Sequence, residues 1–239
     1  MKKGDMRREE LLATAERLFY TKGYEKTSVQ DILDEMNFSK GGFYHHFDSK
    51  LSVLEAICEQ RAQENCESAC RRADEGEKTA VDQLNALLSS STLWQSDNPG
   101  FVALLIQVAY REDGALMRAK MESCQLACMQ EPLEKVLRQG VKSGEFFVED
   151  VQTCASLVLR LYMQFTDEIA FLLAQEKTEE QLCEKMVKKL RVYRTAIERI
   201  LVAPFGSVVL FEAKDLQLLG QRIMRDRTRQ RAEELLSAK

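Results

Sequence analysis

Apolar positions along the first fifty residues fall into short periodic runs separated by turn residues. Leu11, Leu12, Ala15, Leu18 and Phe19 recur at i, i+1, i+4, i+7 and i+8, with Glu9, Glu10, Glu16 and Arg17 on the opposite side. This predicts an amphipathic helix closing near Lys22, where Gly23 can take the left-handed conformation. In "EKTS", Thr27 or Ser28 caps a second helix whose inward residues are Val29, Ile32 and Met36. That helix ends around "MNFS". Ser39 caps a third, Lys40 to His46, held down by Phe43 and Phe47 four residues apart, with Phe38 sealing the turn. Asp48 is expected to cap a fourth, carrying Leu51, Leu54 and Ile57.

Two helices joined by so tight a connection, the second of them short, form a helix-turn-helix pattern. The third helix would be roughly 10 Å long, and the major groove of B-DNA is about 12 Å wide. Once the two phenylalanines are buried, Lys40, Gly41, Gly42, Tyr44 and His45 are left facing outward. Each glycine costs on the order of 1 kcal/mol relative to Ala inside a helix. Either the missing side chains give clearance for close approach to DNA, or they allow tight packing within the protein. His45 and His46 point about 100° apart and have no partner at i+3 or i+4, so a shared metal is not expected. No nucleophile motif lies beside them. Contact with DNA, Tyr44 and Lys50 meeting phosphates, uses the exposed residues of the stretch.

Beyond residue 51 the pattern is helical with polar breaks at 73–79, 95–100, 111–114, 142–146 and 174–180. The run 151–174 is apolar on more than one side. Val151, Ala155, Val158, Tyr162, Phe165 and Ile169 mark one face, and Cys154, Leu157, Leu161, Phe171 and Leu172 mark others. With 178–202 (Leu182, Met186, Val187, Leu190, Tyr193, Ile197, Leu201) it suits a homodimer interface of four helices. Candidates for a ligand pocket are Trp94, Phe101, Tyr110, Met117, Met121, Met163 and Gln164, although Met and aromatic stripes commonly serve as core. Pro204 ends the preceding helix, "SVVLF" reads as extended, and a basic final helix carries Arg222, Arg225, Arg227, Arg229 and Arg231. That helix reads as solvated and packed on a dimer, with DNA contact as the other option.

Composition narrows the class. No apolar run approaches the roughly 18 to 20 residues of a membrane span, and the start does not resemble a secretory signal, so a cytosolic protein is expected. The net charge is −4, but the first fifty residues balance nine Lys/Arg against nine Asp/Glu, so the negative excess lies in the remainder. Seven cysteines (58, 66, 70, 124, 128, 154, 183) are read as reduced thiols, and no metal or other cofactor is expected. No phosphate loop or catalytic constellation stands out, so an enzyme is not expected.

The stretch "TSVQDILDEMNFSKGGFYHHFDSK" resembles the N-terminal DNA-binding segment of the TetR/AcrR family of bacterial transcriptional regulators. The likeness runs from "ATAERLFYTKGYEKTSV" through "SKGGFYHHFDSKLSVLEAI", and "LRQGVKSGEFFVEDVQTCASLV" is similar to the family's turn into its penultimate core helix. It implies an all-α protein: a three-helix helix-turn-helix DNA-binding domain at 5–65 (motif about 28–47), a larger helical ligand-binding and dimerisation domain at 66–203, and an extension at 204–239. It implies a double-stranded DNA operator as partner, a homodimeric repressor and release by a small-molecule effector. By position the DNA-contacting set is Thr27, Ser28, Ser39, Lys40, Gly41, Gly42, Tyr44, His45, His46 and Lys50. Gly42 departs from the pattern, standing where many members carry Thr or Asn, so base reading would rest on Lys40, His45 and DNA shape. The competing class is a helical sensor of the same shape answering to a redox change or a partner protein.

Overall fold

Ser28, Ser39 and Ser49 begin three successive helices by the same device. In the computed structural model, which describes residues 3–90, 106, 108–109, 115–175 and 178–237, their hydroxyl oxygens accept the N–H groups of Asp31, Gly42 and Ser52, each at 3.1 Å. Such bonds satisfy amides that the helix ladder leaves without partners. They open α2 (Val29–Met36), α3 (Lys40–His46) and α4 (Lys50–Asp74), which follow α1 (Lys3–Thr21). The cap of α4 is thus Ser49 and not the expected Asp48. Ser49 and Ser52 bond each other's backbone reciprocally, and Asp48, one residue earlier, is exposed. Gly23 (φ 90°) follows α1, and Asn37 in the left-handed region (φ 49°) closes α2.

These elements enclose a core of Leu11, Ala15 and Phe19 from α1, Ile32 and Leu33 from α2, and Phe43 from α3, with Phe47, Val53 and Leu54 beyond it. The next part of the same helix, α4, belongs elsewhere: Cys66, Ala69 and Ala73 are buried in a second core. The second core is completed by α5 (Ala80–Ser90), α6 (Ala115–Ser143), α7 (Val151–Gln175), α8 (Glu179–Leu201) and α9 (Ala213–Ser237). Among the described residues every regular element is an α-helix.

α6 lies parallel to α4 and is tied to it at three levels. Lys120 meets Glu55 at 2.6 Å, the Cys66 thiol donates to the Cys128 carbonyl at 3.3 Å, and Lys135 meets Asp74 at 2.9 Å. The middle contact has a covalent origin. Pro132 inside α6 has no N–H to give the carbonyl four residues before it, which is that of Cys128. Cys66 fills the vacancy from the neighbouring helix, a use for a buried thiol that needs no redox chemistry. Burial, together with neighbouring Cys70 and Cys128, pushes the Cys66 thiol above its ordinary pKa; burial does the same for Cys58.

α6 starts against the first core, to which Met117 belongs, and ends at the far side of the body. There Glu145 accepts the N–H groups of Ala80 and Val81 at 3.1 and 3.2 Å, capping α5. α7 runs back toward the first core, burying Ala155, Val158, Tyr162, Phe165 and Ile169, with the Tyr162 hydroxyl on the Leu88 carbonyl. α8 returns antiparallel, with Lys189 and Tyr193 both donating to Glu168. It ends at the far side, where the Leu201 carbonyl accepts the Phe147 N–H at 3.0 Å.

A strap, 202–212, then leads into α9. α8 stops at Val202, whose left-handed φ of 51° is unusual for a β-branched residue. The expected stop signal, Pro204, lies two residues later and is exposed. The "SVVLF" segment is non-helical, with Val208 and Leu210 buried. Two side chains fix the strap. Asn85 bonds the Ser207 carbonyl and the Val209 N–H, each at 2.8 Å, and buried Glu198 accepts the N–H groups of Gly206 and Val208 at 2.8 and 3.2 Å. Glu198 is 3% exposed, and the Arg194 guanidinium lies 3.7 Å away. Glu198→Ala strands both amides and takes the carboxylate from beside the part-exposed Arg194, so unfolding stability should fall by about 2 to 4 kcal/mol. Urea melts of the variant beside the parent chain check this, and an unchanged midpoint would show that the strap does not depend on Glu198.

Candidate nucleic-acid interface

The outward surface of α3 results from two aromatic anchors. Phe43 is fully buried and Phe47, just past the helix end, nearly so, with ring centroids 6.2 Å apart. Lys40, Gly41, Tyr44 and His45 are consequently exposed, and Tyr44 stands edge-on to Phe43 at 5.3 Å. His46 is half-buried, its ring 5.0 Å from that of His45 and 6.5 Å from that of Phe47. The face carries one permanent cation, two imidazoles and a phenol, and α3 itself contains no acidic residue.

The two glycines have different reasons. A Cβ at Gly41 would meet nothing within 4 Å. One at Gly42 would lie 2.6 to 3.2 Å from three atoms of the Phe38 ring. Gly42 therefore makes room for the aromatic that seals the α2–α3 turn, and the clearance reading suits Gly41 alone. The departure from the family pattern at 42 has a packing cause.

Thr27 is corrected as a contact residue. It is 1% exposed, and its hydroxyl is committed to the Gly23 carbonyl at 2.7 Å, with the Leu18 carbonyl at 3.3 Å. Ser28 is the cap and the exposed member of the pair. Its N–H and hydroxyl both donate to Asp31 at 2.7 Å, in a reciprocal capping box. Asp31 also meets Lys22 at 2.7 Å; the Lys22 bond first, and the Ser28 bonds after it, hold its carboxyl well below the usual carboxylate range. Ser39 is exposed as the cap of α3. Lys50, expected on a phosphate, is half-buried, with its ammonium on the Tyr24 carbonyl at 2.7 Å and 4.1 Å from the Tyr24 ring centroid. Phe38 was expected to seal the turn, whereas the roles of Tyr24 and Asp31 in aiming this surface were not part of the sequence expectation. Only Asp31 had a local signal, the Ser-x-x-Asp spacing of "SVQD".

The pocket candidates are more scattered. Trp94, Phe101 and Tyr110 lie outside the described residues. Met117 is buried in the first core and Met121 packs against it, whereas Met163 and Gln164 are on α7, which contributes no described residue to that core. Met163 is buried; Gln164 is exposed, its amide on Glu168 at 3.2 Å. A groove of about 560 Å³ does lie between α8 and α9, lined by Cys183, Glu184, Val187, Arg191 and Gln217 among others. None of the candidates lines it.

Residues 11–57 match the family described as bacterial regulatory proteins, tetR family. This N-terminal head, residues 11–57, is thus that of the TetR family. An HTH-type transcriptional regulator of Lactococcus lactis subsp. lactis is 48% identical over 50 residues, 21% of this chain and 26% of that protein. The HTH-type transcriptional repressor KstR2 of Rhodococcus jostii is 47% identical over 51 residues, 21% of this chain and 25% of that one. The matched stretch thus spans about a quarter of each relative. The fold is shared more widely: a TetR-family transcriptional regulator of Pectobacterium atrosepticum superposes with a TM-score of 0.56 at 22% identity, covering 84% of this chain and 97% of that one.

The glycine pair supplies a direct comparison. Gly41→Ala should gain about 1 kcal/mol of helix propensity with nothing displaced. Gly42→Ala gains the same propensity but must push Phe38 aside, at about 1 to 3 kcal/mol. Thermal melts should therefore rank Gly41→Ala above Gly42→Ala; the reverse order would remove Phe38 as the reason for the second glycine.

Proposed function

We propose that the chain is a DNA-binding transcriptional regulator that acts as a homodimeric repressor and leaves its operator when a small molecule binds the body. One observation carries the first part: in a capped helix-turn-helix, α3 buries Phe43 and Phe47 and leaves Lys40, Gly41, Tyr44 and His45 outward. A helix anchored from behind, with a cation and hydrogen-bonding rings in front, suits a major groove. On this reading residues 5–65 form the DNA-binding unit, 66–203 the regulatory and dimerising unit, and 204–239 an extension. Ser28, Ser39, Lys40, Gly41, Tyr44, His45 and His46 are the residues we assign to DNA contact, with Gly42 and Lys50 shaping the surface. The repressor sense follows the Rhodococcus relative.

Dimerisation is supported by apolar side chains left outside the body's core. Leu157 and Phe171 are about half exposed on α7, with Leu161 half-buried on the same stripe, and Val192 is exposed on α8. A partner bringing the same helices would cover them and set two α3 helices at a fixed separation. A ligand preferring another separation would lower DNA affinity. Buried Met163 is the described side chain we place nearest such a ligand.

Selection from random duplexes should enrich two inverted half-sites whose centres lie about 34 to 36 Å apart or a multiple of that. Absence of enrichment over many rounds would sink the DNA-binding reading. Phe171→Glu should shift sedimentation from dimer to monomer and reduce operator affinity at least tenfold, roughly the effect of losing 1.4 kcal/mol; a dimer that persists would exclude this face.

A further inference from the structure

A dense run of positive charge lies at the end of the chain. Residues 222–231, "RIMRDRTRQR", hold five arginines against one aspartate, in a protein whose net charge is −4. The helix that carries them is docked, not adrift. Leu216, Leu219, Gly220 and Ile223 of α9 are buried, and a Cβ at Gly220 would approach Leu182 and Met186 of α8 to 3.3 Å. Arg222 and Arg225 are exposed. By helical spacing these two share the face opposite the docked one.

Direction decides what this charge can meet. α8 begins at the end of the body that carries the head, since its other end is bonded to the loop after α6, and α6 itself starts against the head core. α9 runs antiparallel to α8 toward that same end, and at Gly220 it has already reached Leu182, within one turn of the start of α8 at Glu179. Seventeen residues of α9 remain after Gly220, about 25 Å of helix. That length continues in the direction of the head side.

We infer that α9 is a second, sequence-independent DNA contact, placing arginines on phosphates that flank the site read by α3. This rests on the reading of the head as a DNA-binding unit. The chemistry fits: guanidinium groups pair with phosphate oxygens, and each phosphate so neutralised releases counterions from the duplex. The contact adds affinity and footprint without base preference.

The test uses the full chain with Arg222, Arg225 and Arg229 all changed to Gln, beside the same three changed to Lys and the head variant Lys40→Ala. Affinity for the selected operator and for a random duplex of equal length is measured across a salt series. With six arginines lost per dimer, the Gln variant should lower the slope of log K against log salt by about 5 on both duplexes, near 0.9 per lost contact, with the preference between them unchanged. The Lys variant should keep the parental slope, and circular dichroism should show unchanged helicity in both. A parental slope in the Gln variant overturns the inference while leaving the head reading intact. A change in oligomeric state with the slope unmoved also overturns it, making α9 a protein interface. If the parent chain itself binds neither duplex, the head reading fails and takes this one with it; Lys40→Ala losing operator preference at an unaltered α9 contribution separates the two sites.

Discussion

One unbroken helix, α4, holds the two halves of this protein in a fixed relation. Its first turns are core of the head, through Val53, Leu54, Ala56 and Ile57, and its later turns are core of the body, through Cys66, Ala69 and Ala73. Twenty-five residues of helix span about 37 Å. Such a rod cannot be sharply kinked between the two cores without breaking backbone hydrogen bonds. A shift of α6 along α4 would therefore be felt by the head, because Met117 of α6 lies in the head core while Met129, Leu133 and Val136 lie in the body.

The ties along this joint differ in weight. Lys135–Asp74 is exposed on both sides and is worth about 0 to 1 kcal/mol. The Cys66 thiol is buried and serves a carbonyl that proline has deprived of its own donor, so its loss would leave a polar group unpaired in the interior. Small residues around it, Ala69 and Ala73, let the helices approach closely. The raised pKa of the buried thiols points the same way, toward cysteines that pack and donate and away from thiolates that react.

At the far end the same economy of buried polar groups fixes the tail. Glu198 sits inside the body because two strap amides need an acceptor, and Asn85 serves the next carbonyl and amide along. These bonds turn a non-helical segment into a rigid lead for α9, so the direction in which the arginine-rich helix leaves the body is set by residues on α5 and α8.

Much of the head could be read from the chain itself. The spacing of Leu11, Ala15 and Phe19, the serines at 28 and 39 and the phenylalanines at 43 and 47 are local signals, legible because a helix repeats every 3.6 residues and its first amides need an acceptor within reach. The stripes of α7 and α8 were equally plain. What no local pattern contains is which neighbour a residue meets. Thr27 and Ser28 are both good caps by type, and only the packing of α1 against α2 turned one inward. Gly41 and Gly42 are identical in sequence terms, and only Phe38, folding back over the turn, separated them. Lys50 reads as a free cation until Tyr24 is seen beneath it, and Pro132 explains Cys66 across sixty-six positions of chain. The sequence determined the helices and their apolar faces; the tertiary structure decided which polar groups were left to meet DNA, because burial and hydrogen-bond partners are set by residues distant along the chain.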